Sequence, residues 1–493
     1  MAILEKNHYA KLRLPRDATA EEIRHAYFEA ARRLHPDTNP DPNATNLFIE
    51  IQEAYEILSN IERRVQYDQE LGITDPITPE ISYNITYSRP SLICSNEPQL
   101  VYALVEMICT AQVPVTSMPS LNLCLVLDRS TSMQGNRMDM VKTNAINLLR
   151  QLRPNDAISV VAFSDRAEVI IPATQNIDLP KMEGKISLIQ ASGSTEIYQG
   201  LQAGVHEMRR FLSSTRINHL ILLTDGRTYG DEDACIQLAE QLSLEGITIT
   251  GLGIGHEWND KFMDKMTSLS GGTSMYISSP KELSRFFEQK LNNIAKVYAE
   301  HVTLDLELGD NVELNYAFRL QPELGPLPTE NQIALGSILY SKSSSVVLEF
   351  LVKQAPEPTA NFSVARGRIL MDIPNRKIPT TRIMVNIARS VSEQPIPQPP
   401  PPSILQAMSR LTLYRMQEKA QREVADGQVE NATRTLQNMA THLLSQGERE
   451  LAHTVLVEAD HLQKNRRFSD EGDKRIKYGT RALLLPSGME TRK

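Results

Sequence analysis

The segment EEIRHAYFEAARRLHPD, residues 21–37, combines an amphipathic helix with an abrupt end. Its apolar residues recur at intervals of three and four positions and form one helical face: Ile23, Ala26, Tyr27, Ala30, Ala31 and Leu34. Thr19 and Glu22 have the spacing of a capping box at the start, and Pro36 disfavours helical geometry in the residue before it. The sequence therefore predicts a helix over residues 19–34, followed by a loop that carries the tripeptide HPD.

A second helical pattern lies close behind the first. Its apolar face is formed by Phe48, Ile51, Tyr55 and Leu58. The two apolar faces can pack as an antiparallel hairpin, which displays the HPD loop to solvent at its tip. The far face of the first helix carries Arg24, Arg32 and Arg33. Residues 1–72 hold 9 Lys+Arg against 13 Asp+Glu, so the positive charge is local to that face.

The stretches HYAKLRLPRDATAEEIRHAYFEAARRLHPD (8–37) and FIEIQEAYEILSNIERRVQYD (48–68) resemble a DnaJ-type J domain. In that family the tripeptide and the basic face of the preceding helix engage a DnaK-type heat-shock chaperone and trigger its ATP hydrolysis. The resemblance assigns this chaperone-binding role to His35, Pro36, Asp37, Arg24, Arg32 and Arg33. Phe28 and Glu29 depart from the family, where these positions are often basic, which puts full affinity for the chaperone in doubt.

Residues 119–297 alternate short aliphatic runs with helical patterns. The runs are LNLCLVL (121–127), AISVVAF (157–163), HLILLTDG (219–226) and ITITGLGIG (247–255). Such alternation predicts a doubly wound, Rossmann-like α/β fold, in which a mostly parallel sheet is covered by helices. Ligands of such folds bind beyond the carboxyl ends of the strands.

Polar oxygen atoms cluster at those predicted strand ends. They belong to Asp128, Ser130, Ser132, Thr195 and Asp225. The pattern D-x-S-x-S, then T, then D-G resembles the metal-ion-dependent adhesion site of von Willebrand factor type A domains. The resemblance implies that these five residues hold a metal ion, and oxygen ligands without nitrogen or sulfur suit Mg²⁺ or Mn²⁺. With only two carboxylates, the ion stays able to accept an acidic residue of a partner protein.

The same five positions also have simpler interpretations. Asp128 and the serines can cap the following helix, and Asp225-Gly226 can form an ordinary turn. A metal-dependent hydrolase is a further class, but the Ser/Thr/Asp group has no neighbouring His or Lys base in sequence. GLGIG lacks the spacing of a dinucleotide-binding loop. The sequence therefore predicts no catalytic residue and no enzyme.

The remaining segments predict a multidomain chain. Its expected domains are an all-α J domain (1–73), a β-sandwich-like domain (80–118 and 298–390), an intervening α/β domain (119–297), a Pro-rich linker (391–402) and an α-helical bundle (403–486). In the last domain, helices are expected to restart at Gly427 and Gly447, because G-x-x-x-x-A-x-x-x-L recurs there. This bundle is expected either to pack on the β domain or to mediate self-association. The oligomeric state is left open.

Composition limits the function classes. A net charge of −8 with 23% charged and 41% hydrophobic residues is typical of a globular protein and argues against a nucleic-acid partner. The four dispersed cysteines predict thiols in a reducing compartment, and no apolar run reaches the length of a membrane span, so a cytoplasmic location is expected. The predicted function is a co-chaperone that recruits a DnaK-type chaperone to a partner protein. The alternative is a scaffold whose J domain docks without stimulating a chaperone.

Overall fold

A computed structural model describes residues 7–35, 42–71, 78–112 and 119–483, apart from short internal gaps. The gaps are residues 229, 256, 295, 323, 330–331, 341, 356, 375, 377, 395–396 and 470–471. Two of the predicted site residues, Pro36 and Asp37, lie outside the described residues. None of the described helices combines the length and apolar character that crossing a bilayer requires.

Four helices form the N-terminal domain: α1 (His8–Lys11), α2 (Ala20–Leu34), α3 (Pro42–Leu58) and α4 (Ile61–Leu71). The capping box forms in both directions: the Glu22 N–H donates to Thr19 Oγ1 (3.2 Å), and the Thr19 N–H donates to Glu22 Oε2 (2.8 Å). Helix α2 ends at Leu34, and His35 is extended with ψ 132°. The helices α2 and α3 enclose a buried core, within which Tyr27 stacks on Tyr55 at 4.1 Å. The predicted hairpin is therefore present.

Two five-stranded sheets pack face to face as a β-sandwich, with strand orders β1-β3-β14-β11-β12 and β13-β10-β15-β16-β2. Their N-terminal strands are β1 (Ile81–Tyr87), β2 (Ser91–Ile93) and β3 (Gln99–Cys109). The others are β10 (Val297–Leu308), β11 (Val312–Gln321), β12 (Gly325–Leu327), β13 (Ile333–Leu339), β14 (Ser343–Val352), β15 (Thr359–Asp372) and β16 (Thr380–Ser392). Since β3 pairs with β14 and β2 pairs with β16, the sandwich is built from segments on both sides of the intervening domain.

The intervening domain is a six-stranded sheet of order β6-β5-β4-β7-β8-β9, parallel except for β6. Its strands are β4 (Ser120–Asp128), β5 (Ala157–Phe163), β6 (Ala167–Thr174), β7 (Arg216–Thr224), β8 (Thr248–Ile254) and β9 (Ser274–Ile277). Its helices are α5 (Asn136–Leu149), α6 (Leu179–Ser187), α7 (Ile197–Arg209), α8 (Glu232–Glu245), α9 (Asp260–Leu269) and α10 (Pro280–Ile294). Separate apolar cores lie on the two faces of the sheet, which explains why its central strands are aliphatic throughout.

The C-terminal helices are α11 (Pro402–Ala425), α12 (Val429–Ser445), α13 (Arg449–Asn465) and α14 (Gly472–Leu483). Gly427 and Gly447 adopt positive φ angles of 75° and 85° in the two turns where helices were expected to restart. The first half of α11 packs on the sandwich, where Tyr414 contacts Phe318 with ring centroids 4.9 Å apart. Packing on the β domain, one of the two predicted arrangements, is therefore observed.

Candidate functional site

Two carboxylates mark the carboxyl edge of the six-stranded sheet. Asp128 is the last residue of β4, and Asp225 directly follows β7. These neighbouring strands are parallel and in register, with Leu127 opposite Leu223. Both carboxylate-bearing residues have 0% exposure. Two buried acidic groups at one strand edge create a site that needs positive charge.

Hydrogen bonds fix the orientation of the Asp128 carboxylate. Its Oδ1 accepts from the Ser130 N–H at 2.7 Å, and its Oδ2 accepts from the Thr224 hydroxyl at 2.6 Å. The pKa of Asp128 is raised to about 6, mainly by burial and to a smaller extent by the nearby charge of Asp225, while the hydrogen bonds from Thr224 and Ser130 oppose the shift. A cation at this edge would favour the ionised form.

The two serines connect the carboxylates. Ser130 Oγ lies 3.0 Å from Ser132 Oγ, and the Ser132 hydroxyl donates to Asp225 Oδ1 at 2.7 Å. The serines follow β4 in the turn that leads through a short 3-10 helix into α5. Four of the five predicted residues are therefore joined by one continuous chain of hydrogen bonds.

Thr195 reaches the same edge from the loop before α7. That loop is held against the first loop, because the N–H and the hydroxyl of Thr131 both donate to the Gly193 carbonyl, at 3.1 and 3.0 Å. A Cβ atom placed on Gly226 would lie 2.9 Å from Thr195 Oγ1, so this hydroxyl packs against the backbone next to Asp225. The structure thus brings all five predicted metal-site residues together.

Sequence reasoning missed two further residues of this site. Arg137, in the first turn of α5, places Nη1 2.5 Å from Asp225 Oδ2, and Thr224 binds Asp128 as described above. The signal for Arg137 was its position five residues after Ser132, at the start of a helix that leaves this edge. Its guanidinium partly neutralises the Asp225 carboxylate.

The donor atoms fit a hard divalent cation. The five side chains offer hydroxyl and carboxylate oxygens, the ligands preferred by Mg²⁺ and Mn²⁺. Within the described part of the chain, no group of three or more His, Cys, Asp or Glu residues is arranged to hold a metal ion. The edge therefore differs in chemistry from a nitrogen- or sulfur-ligated zinc site.

The N-terminal helix α2 presents the second candidate site. Arg24 and Arg32 are exposed, and the Arg24 guanidinium lies over the ring of the exposed Phe28, 5.7 Å from its centroid. His35 is exposed at the end of the helix. Arg33 differs from the expectation of an exposed basic face: its side chain is only 16% exposed, and its Nε lies 3.9 Å from Glu245 Oε1 in α8. The exposed basic surface of α2 is therefore narrower than predicted.

Comparison with known proteins accounts for these two sites. The sequence profile of the DnaJ domain matches residues 7–68, and that of the von Willebrand factor type A (VWA) domain matches residues 122–289. The chain joins a DnaJ domain to a VWA domain. A third profile, the Sll0103-like C-terminal alpha-helical domain, matches residues 402–486. The predicted fusion and the predicted fold class are both confirmed.

Individual relatives agree with this division. The uncharacterized protein sll0103 of Synechocystis is 31% identical over 243 residues, covering 48% of this chain and 58% of the relative. The chaperone protein DnaJ of Dictyoglomus thermophilum is 51% identical over 65 residues, covering 13% of this chain and 17% of the relative. This chain therefore spans less than two thirds of either relative.

Solved structures share the fold of the VWA-containing part. A von Willebrand factor type A protein from Catenulispora acidiphila has a TM-score of 0.67 at 17% identity and covers 83% of this chain and 98% of its own. The ArnB paralog VWA2 from Sulfolobus acidocaldarius has a TM-score of 0.53 at 16% identity, with coverages of 82% and 98%. At these identities the likeness describes architecture alone.

Proposed function

We propose that the protein is a J-domain co-chaperone that recruits a DnaK-type heat-shock chaperone to a partner protein and stimulates its ATPase. The observation that carries the proposal is the exposed stripe of α2, where Arg24, Arg32 and His35 face solvent on a domain that matches the DnaJ profile. A DnaJ domain generally indicates an Hsp70-type partner. Arginines and an imidazole can bind acidic and carbonyl groups of such a partner through charge-assisted hydrogen bonds.

The VWA domain supplies the second half of the proposal, which is capture of the partner protein. Asp128, Ser130, Ser132, Thr195 and Asp225 would hold Mg²⁺ or Mn²⁺, directly or through water. When bound, the ion would offer a coordination position to an acidic residue of the partner. The chain's own residues orient this site, since Thr224 and the Ser130 N–H fix Asp128. The Ser132 hydroxyl contacts both Ser130 and Asp225.

The role of the J domain is tested by the ATPase activity of a DnaK-type chaperone from the same organism. We expect the full-length protein to stimulate this activity and His35→Gln to abolish the stimulation. His25→Gln is the matched control, because His25 is an exposed histidine on α2, the helix that directly precedes His35. Equal stimulation by the wild type and His35→Gln would contradict the proposal.

The same assay distinguishes the co-chaperone from the main alternative, a scaffold. A scaffold whose J domain only docks would bind the chaperone without changing its ATP turnover. The specific observation behind this alternative is Phe28, which is 55% exposed at a position that is often basic in the family. Binding without stimulation would favour the scaffold.

A further inference from the structure

The J domain is anchored to both neighbouring domains by one guanidinium. Arg13, which follows α1, places Nη2 2.8 Å from Asp372 Oδ2 at the end of β15. Its Nη1 donates to the main-chain carbonyls of Leu244 (2.6 Å) and Ser243 (3.1 Å) in the last turn of α8. Arg13 therefore links the J domain to the sandwich and to the VWA domain at the same time.

A second set of ion pairs joins α2 and the segment just before it to the sandwich. Glu22 Oε1 lies 2.5 Å from Arg368 Nη1 and 2.8 Å from Arg382 Nη1, and Asp17 Oδ2 lies 2.9 Å from Arg382 Nη2. Arg368 belongs to β15 and Arg382 to β16. Ile378, between these strands, is buried within the apolar cluster of the J domain. The contact thus combines charge pairing with one apolar anchor.

The third contact uses an arginine of the expected chaperone-binding face. Arg33 lies beside Glu245, whose side chain is 2% exposed and is also bound by Arg209 Nη2 at 2.9 Å. Burial lowers the pKa of Arg33, while the charge of Glu245 opposes that shift. Arg24 and Arg32 remain exposed on the same helix. Docking therefore covers one of three predicted chaperone-binding arginines and leaves the other two accessible.

The junction has the character of a reversible contact. A cleft of about 2050 Å³ remains between the J domain, the VWA domain and the sandwich. The ion pairs that Glu22 and Asp17 form with the sandwich are partly solvated, and such pairs contribute modestly to stability. A polar contact with an open cleft is typical of domains that can separate.

We infer that this junction restrains the J domain: in the docked state Glu245 withholds Arg33 from the chaperone, and opening the junction increases chaperone stimulation. The inference rests on the proposed co-chaperone function. Any event that alters the last turn of α8 or the β15–β16 edge would change the docked population, because both surfaces contact the J domain directly. Coupling of this kind in proteins is typically about 5–150-fold in affinity.

The test leaves the J-domain sequence unchanged and alters only its docking surfaces. One variant is Arg368→Ala/Arg382→Ala, which removes the partners of Glu22 and Asp17, and an independent variant is Glu245→Gln, which removes the charge opposite Arg33. Arg366→Ala is the control, because Arg366 is exposed on the same strand as Arg368. Each full-length variant is assayed for DnaK-type ATPase stimulation at limiting concentration and for its radius of gyration by small-angle X-ray scattering.

We expect both docking variants to show a larger radius of gyration and to reach half-maximal stimulation at a concentration about fivefold lower than the wild type, with Arg366→Ala unchanged. An unchanged radius of gyration in both variants would show that these pairs do not hold the J domain and would overturn the inference. An increased radius with unchanged stimulation would overturn it as well, while the co-chaperone function would stand if His35→Gln still abolished stimulation. Absence of stimulation in every protein, the wild type included, would instead reject the proposed function.

Discussion

The buried carboxylate of Asp128 already accepts hydrogen bonds from two protein groups. The Ser130 N–H and the Thr224 hydroxyl hold it toward the end of β4, where Ser132 and Asp225 follow. These contacts fix the position of the carboxylate before any ion binds. Removing the Asp128 carboxylate should therefore weaken ion binding.

We predict that Asp128→Ala abolishes Mn²⁺ binding measured by isothermal titration calorimetry. Because a ligand that binds only the folded state stabilises it, Mg²⁺ should raise the melting temperature of the wild type and leave that of Asp128→Ala unchanged. Asp139→Ala, which removes an exposed carboxylate from the nearby helix α5, should behave like the wild type. Equal Mn²⁺ affinity in Asp128→Ala and the wild type would count against the metal site.

Glu300 gives a prediction about pH. It is 2% exposed in β10, and its Oε2 has no hydrogen-bond partner among the described residues. Burial raises its pKa well above the usual value, and the charge of Asp372 adds to the shift, while Lys290 and Arg13 oppose it. The unfolded chain therefore ionises Glu300 at lower pH than the folded chain, so this residue reduces stability progressively as pH rises above about 4.3.

We predict that Glu300→Gln raises the melting temperature at pH 8 by at least about 2 °C and has little effect near pH 4, where Glu300 is mostly protonated in both states. Thermal denaturation followed by circular dichroism at the two pH values measures the difference. Glu307→Gln, on an exposed part of the same strand, is the control. An equal gain at both pH values would show that ionisation is not the cause.

Helix α7 packs closely on the sheet at Gly200. A Cβ atom on Gly200 would lie 2.6 Å from Phe163 Cδ1 and 2.9 Å from Val126 Cγ1. Gly184 in α6 is the opposite case, since a Cβ atom there would meet nothing within 4 Å. This close packing also fixes the position of the first turn of α7 on the sheet, directly after Thr195.

We predict that a glycine-to-alanine substitution has opposite effects on stability in these two helices. Gly200→Ala should destabilise the protein by about 1–3 kcal/mol through overpacking. Gly184→Ala should stabilise it by about 0.5–1 kcal/mol, because alanine loses less backbone entropy in a helix than glycine does. Urea denaturation of both variants measures the changes, and destabilisation by Gly184→Ala would contradict the packing argument.

The elements themselves were largely predictable because their signals are local. The capping box and the apolar periodicity of α2 lie within 16 residues of sequence, and the observed helix Ala20–Leu34 agrees with them. The oxygen cluster was predictable because parallel strands end at one edge of a sheet. The burial of most of the Arg33 side chain was not predictable, since its partner Glu245 lies in another domain and no local pattern connects the two residues.

The complete molecule depends on contacts between segments that are far apart in sequence. The sandwich forms only when β2 and β3 pair with β16 and β14, across the whole VWA domain. The sequence predicted a β-sandwich-like domain from the two flanking segments, but register and sheet order arise from tertiary packing and had no sequence signal. For the same reason, the docking of the J domain against β15, β16 and α8 emerged from the structure alone.

The C-terminal helices are held at both ends. Helix α11 packs on the sandwich through Tyr414. Helix α14 contacts the VWA domain, where the Lys474 ammonium donates to the Trp258 carbonyl at 2.6 Å. In the same helix, the Tyr478 hydroxyl lies 3.0 Å from Ser274 Oγ. The proline-rich stretch that precedes α11 is thus not the sole connection between the helices and the rest. A protease cut in that stretch would leave a nicked protein whose two fragments remain associated until a denaturant separates them.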